Sequence, residues 1–218
     1  MPAAMLELDR INTFRGPAQI LRAVSLRVGE GESICLVGRN GAGKTTTIDS
    51  IMGLLPVRSG RVTFRERDIT RLPAHQRALA GIGYAPEDCG IFPDLSVEEN
   101  FQFTSWIVTP RASARRGLYL SGGQKKMVAI TRAMSLAPSV LLLDEPFEGL
   151  APVVVTRFIE AVRAIKAMGI SVLIAESHLA NATRVADRLY AIDRGEIIFQ
   201  GHPRDVFANE DVMRTLRG

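Results

Sequence analysis

Cysteine is scarce in this 218-residue sequence: only Cys35 and Cys89 occur. One possible pair makes no disulfide framework, which points to a reducing compartment. Aromatic residues make up 6%, and none of them interleaves with a basic stripe, so nucleic acid is not the expected partner. Long apolar runs are missing too. Residues 140–143 stop at Asp144, and residues 170–175 stop at Glu176. Both are far short of the roughly 20 residues a membrane helix requires. The first ten residues lack a basic segment followed by an apolar run, so no secretory leader is expected. What is present is ordinary for a globular chain: 46% hydrophobic and 23% charged residues, enough to bury a full core. Lys and Arg number 27 against 23 Asp and Glu, a net charge of +4. That balance suits an anionic ligand or an acidic lipid surface, and equally a plain solvated exterior.

Short β-like runs alternate with helical patterns. Strands are expected at 33–37, 61–64, 82–85, 140–143 and 170–175, and helices at 43–52, 121–134 and 152–168. Segments 191–193 and 196–199 flank Arg194-Gly195, a hairpin signal. Segments 6–8 and 24–28 read as antiparallel strands. The sum is an α/β domain over residues 1–218 with a mainly parallel sheet and an N-terminal antiparallel β-subdomain. Residues 87–120 break the alternation with several Pro and Gly residues, which suggests a small subdomain.

Three motifs carry chemistry. Gly38, Arg39, Asn40, Gly41, Ala42, Gly43, Lys44 and Thr45 fit a phosphate-binding loop, with a strand before it and a helix after it. Glycines let successive N–H groups converge on one anion, and the helix start adds partial positive charge. Lys44 is expected on the β- and γ-phosphates of a bound triphosphate, Thr45 on Mg²⁺, and Thr46 beside them. The second motif is the apolar strand that ends in Asp144 and Glu145. Asp144 is the expected Mg²⁺ carboxylate, and Glu145 the base that takes a proton from water. The third is Leu120-Ser121-Gly122-Gly123-Gln124. Ser121 is a good N-cap, and the turn doubles as an anion site. One triphosphate does not need two such sites, so the spare one is expected to face the nucleotide of another subunit.

With these motifs in this order, the chain resembles the ATP-binding cassette (ABC) ATPases over nearly its whole length. The resemblance implies an ATPase that pairs head-to-tail with a second ABC ATPase subunit. Ser121, Gly122, Gly123 and Gln124 of one subunit then cover the ATP of the other. It also implies membrane permease subunits, a peripheral place on the cytoplasmic face of the membrane, and, for importers, a periplasmic binding protein. Glu148-Gly149-Leu150-Ala151-Pro152, residues 91–100 and residues 186–190 are similar to the branched-chain amino acid uptake group, whose smaller ATPase this chain looks like.

Several positions depart from the family pattern. Glu87 stands where the family has Gln, keeping an acceptor for Mg²⁺ and losing the N–H₂ donor toward water. Ser177 stands at the usual histidine, with His178 one residue late. Glu87 and Ser177 are therefore expected beside Glu145 in catalysis. The adenine-stacking position falls on Arg15, whose planar guanidinium can stack, with Phe14 next to it. Residues 101–119 are short for the helical subdomain, here placed at 87–137. Phe101, Phe103, Trp106 and Ile107 have the spacing of one amphipathic helix. These departures leave open a second reading, a nucleotide-binding module with weak or no hydrolysis that pairs with a competent second ATPase.

Overall fold

A computed structural model describes residues 4–100 and 120–217. The amphipathic helix expected from Phe101 to Ile107 lies outside the described residues. Two sheets form the frame. The first joins β1 (Ala4–Arg15), β2 (Ala18–Gly29), β4 (Val57–Phe64) and β5 (Arg67–Asp68) in the order β2-β1-β4-β5. All its pairings are antiparallel. The second joins β3 (Ser33–Val37), β6 (Ile82–Ala85), β7 (Val140–Asp144), β8 (Ser171–Glu176), β9 (Arg188–Asp193) and β10 (Glu196–Gly201). Its order is β10-β9-β3-β8-β7-β6, parallel except for the β9–β10 hairpin.

The buried strands explain their own apolar runs. Side chains alternate across a sheet, so the middle of a strand covered on both faces is apolar, with polar residues left to its ends. Ile34, Leu36, Val140 and Leu142 enter one core with the first sheet and helix α1 (Lys44–Met52). Cys35, Val37, Leu141 and Leu143 enter the other, beneath α4 (Pro152–Ala167). Both cysteines are free and buried. Phe147 and Phe158 meet edge-on in that second core, 5.2 Å between centroids.

The strand and helix expectations hold in the main, with differences at the ends. β9 begins at Arg188 and β4 at Val57, ahead of the expected starts at 191 and 61; the added part of β4 is exposed and includes Arg58, Ser59 and Gly60, whereas β9 gains the buried Leu189 and Tyr190. β1 and β2 are each 12 residues long. Bulges with positive φ at Arg10 and Ala23 interrupt their alternation. Helices α2 (Ala74–Leu79) and α5 (Leu179–Val185) went unforeseen, being too short to show a period. Helix α3 (Gly122–Met134) starts where the Ser121 cap predicts, and α6 (Glu210–Arg217) closes the described chain.

Candidate functional site

The parallel strands bring their C-terminal ends to one edge, which is where open α/β sheets bind ligands. β3 runs directly into the glycine loop. Gly43 adopts φ 115° as the N-cap of α1, a conformation that favours glycine. Ala42 N–H donates to the Arg39 carbonyl at 3.0 Å, closing the turn. Lys44 is 5% exposed and folds back over its own loop, donating to the carbonyls of Gly38 (2.8 Å) and Arg39 (3.2 Å). A cavity of about 360 Å³ opens in front, bordered by Asn40, Gly41, Lys44, Thr45, Thr46 and Glu145.

β7 delivers Asp144 and Glu145 to the same place. Both Asp144 oxygens are buried without a hydrogen-bond partner, and burial pushes its pKa up to about 6. Thr45 lies near enough to oppose that shift but outside hydrogen-bond geometry. Glu145 adopts φ 44°, strained for a residue with a side chain. Its backbone is anchored on two sides. Its N–H donates to the Ala175 carbonyl at 2.9 Å, and Lys126 Nζ donates to its carbonyl. Its carboxylate is held as well. Lys44 Nζ sits 3.0 Å from Oε1, while the Ser177 N–H and hydroxyl each donate to Oε2 at 3.1 Å.

Glu87 borders the cavity beside Glu148. Burial, followed by the Glu148 carboxylate, raises its pKa. Among the described residues no group of three or more His, Cys, Asp or Glu forms a metal cage. Mg²⁺ takes oxygen ligands, with water and substrate phosphates supplying much of the coordination. The bare Asp144 carboxylate, with Thr45 near it, fits such an ion.

Arg15 borders the cavity and Phe14 does not. Arg15 pairs with Asp49 at 2.7 Å and donates to the Thr46 hydroxyl at 3.3 Å. Phe14 opens instead onto a neighbouring hollow, with Arg58 4.9 Å above its ring. Ser121 closes a capping box: its hydroxyl accepts from Gln124 N–H at 3.4 Å, and its N–H donates to Gln124 Oε1 at 2.9 Å. A hydroxyl that accepts still has its own proton to donate. Ser121 and Gly122 are exposed and well removed in sequence from the loop. A Cβ on Gly123 would meet Val154 at 2.9 Å, whereas one on Gly122 would meet nothing.

Sequence reasoning did not find Lys126, Asp49 or Glu148 as site residues. Asp49 had a faint signal, lying one turn beyond the loop on α1. Lys126 reaches a residue 19 positions away, which no local pattern reports.

The two sheets and the glycine loop define a P-loop NTPase core of the ATP-binding cassette type. The ABC transporter family model matches residues 21–148, more than half of the chain. The chain is 36% identical over 222 residues to a probable ABC transporter ATP-binding protein of Azorhizobium caulinodans, covering 93% of this chain and 79% of that protein. It is 33% identical over 220 residues to the lipopolysaccharide export system ATP-binding protein LptB of Escherichia coli K12, covering 92% and 91%. Among solved structures, the ADP conformation of MJ1267, an ATP-binding cassette of an ABC transporter, superposes with a TM-score of 0.89. Its identity is 27%, with 99% of each chain covered. The chain belongs to the ABC transporter family and is an ABC transporter ATPase. No helix among the described residues is long and apolar enough to cross a membrane.

Proposed function

We propose that this chain hydrolyses ATP through Lys44, Asp144 and Glu145 while paired with a second ATPase subunit on membrane permease subunits. The observation that carries this reading is the 3.0 Å approach of Lys44 Nζ to Glu145 Oε1 inside one cavity. That closeness supports one site in which Lys44 serves as the phosphate-binding cation and Glu145 as the base. The amides of residues 41–45 and Lys44 receive the phosphates, and the guanidinium of Arg15, fixed by Asp49, supports the base ring. Thr45, Asp144 and Glu87 hold Mg²⁺, which when bound neutralises charge developing on the phosphates. Once Lys44 turns to the γ-phosphate, Glu145 Oε1 is free to orient water for in-line attack and to accept its proton.

Ser121, Gly122, Gly123 and Gln124 complete the site of the second subunit. The free Ser121 proton and the unfilled space at Gly122 support this role. A dimeric ATP-binding cassette, MJ0796 bound to ADP and Pi, has the same fold. Glu148-Gly149-Leu150-Ala151-Pro152 supports a place in solute uptake of the branched-chain amino acid type.

The test is Glu145→Gln. ATP affinity is expected to match that of the wild type while turnover falls by about a thousandfold; unchanged turnover removes Glu145 from the mechanism. Lys44→Ala is expected to lose ATP affinity instead.

A further inference from the structure

Glu176 is a buried carboxyl that the proposed mechanism does not use. It ends β8 with no exposed surface, and its Oε2 has no hydrogen-bond partner. Burying a carboxylate is costly unless its surroundings compensate. Its Oε1 accepts the His178 N–H at 2.8 Å and lies 3.3 Å from His178 Nδ1. Nδ1 is in turn 3.2 Å from the Ser177 hydroxyl, which donates to Glu145 Oε2 at 3.1 Å.

Proton counting fixes the direction of this chain of contacts. A serine hydroxyl has one proton. With that proton on Glu145, the Ser177 oxygen can only accept from His178. Nδ1 must then carry hydrogen, shared between Ser177 Oγ and Glu176 Oε1. A buried carboxylate at Nδ1 favours that tautomer over the Nε2–H form. If Nδ1 were bare, it would compete with Glu145 for the hydroxyl proton.

The local backbone points the same way. His178 is the N-cap of α5, yet its side chain makes no capping bond. The Ser177 hydroxyl goes to Glu145 and the His178 ring turns back to Glu176. Neither polar side chain serves the helix it precedes.

We infer that Glu176 and His178 form a carboxylate–imidazole pair that aims the Ser177 hydroxyl at Glu145, making both of them positioning residues for ATP hydrolysis. The inference rests on the reading of Glu145 as the base. Through Ser177, the pair holds Oε2 in place while Oε1 is left to act on water.

Two measurements test it. The first is His178→Ser, which supplies a strong helix cap and removes the ring. We expect kcat to fall on the order of tenfold, the effect of losing one orienting hydrogen bond to a charged group. KM for ATP, affinity for a non-hydrolysable ATP analogue and melting temperature are expected to be unchanged or improved. A kcat equal to that of the wild type overturns the inference, as does a loss confined to affinity or stability. Glu145→Gln, run beside it, separates the two failures. If that variant still turns over, the base assignment fails. If it is dead while His178→Ser is normal, only the positioning role fails.

The second measurement needs no turnover. The sequence contains three histidines, so comparison with His178→Ser assigns the His178 ring by ¹⁵N NMR of the nucleotide-free chain. The Nδ1–H tautomer is expected. An Nε2–H tautomer, the usual form in water, overturns the inference.

Discussion

Asp144 carries an electrostatic burden that only a ligand relieves. Its carboxylate is 2% exposed, unpartnered and surrounded by Glu145, Glu87 and Asp49. A carboxyl pushed up to about 6 disfavours folding once ionised. That destabilisation is absent below its unfolded pKa, grows as pH rises through the window up to about 6, and is complete above it. Asp144→Asn is therefore expected to stabilise the nucleotide-free chain at pH 7.5 by about 1–3 kcal/mol, and Mg²⁺-dependent ATP hydrolysis is expected to be lost. Paired denaturant titrations and turnover assays check both halves. At this scale the sequence was legible wherever chemistry is local. Lys44, Thr45, Asp144 and Glu145 sit in contiguous motifs whose geometry a strand and a helix dictate. Glu176 and Lys126 were not legible in that way, since each acts through a partner brought near by folding. The choice between Phe14 and Arg15 likewise needed Asp49 and Arg58 in place to show which side chain borders the cavity.

Helix α1 is anchored at both ends, and its far end depends on Arg77. That guanidinium is 2% exposed and donates to four carbonyls: Ser50 (2.9 Å), Ile51 (2.7 Å), Thr70 (2.8 Å) and Leu72 (2.8 Å). Two of these are carbonyls of the last turn, where a cation complements the helix dipole. Arg77→Met fills a similar volume and strands the carbonyls. We expect it to lower unfolding free energy by about 2–4 kcal/mol, measured by urea denaturation. ATP affinity is expected to fall less than stability, because the phosphate loop lies at the opposite end of α1. Elements were legible in the sequence where burial on both sheet faces made them almost wholly apolar, as for 33–37, 82–85 and 140–143. They were obscured where the chain is exposed, as in the first half of β4, which holds Arg58, Ser59 and Gly60, and where bulges break the period of β1.

At the scale of the molecule, the turn of the β9–β10 hairpin joins the two sheets. Gly195 donates its N–H to the Ala42 carbonyl at 2.9 Å, and its own carbonyl accepts Arg22 N–H at 2.8 Å. It therefore bridges the phosphate loop and β2. Its φ is 82°, and a Cβ there would lie 1.8 Å from the Ile20 carbonyl oxygen. Gly195→Ala is expected to destabilise the chain by about 3 kcal/mol and to weaken ATP binding together with it, since the same turn supports Ala42. Thermal melting and equilibrium binding on one preparation test the linkage. The Arg194-Gly195 hairpin was legible as a turn; its contact with Ala42, 153 residues earlier in the chain, was not.

That bridge also bears on how the protein breathes. An amide is released to solvent only when the structure around it opens, and here one turn holds an amide of the phosphate loop's neighbour and an amide of the outer sheet at once. The Gly195 and Arg22 protons should therefore exchange with deuterium at the same slow rate, through one shared opening. ATP seated on the loop should slow both, carrying a signal of phosphate-site occupancy through the hairpin turn into β2 of the outer sheet.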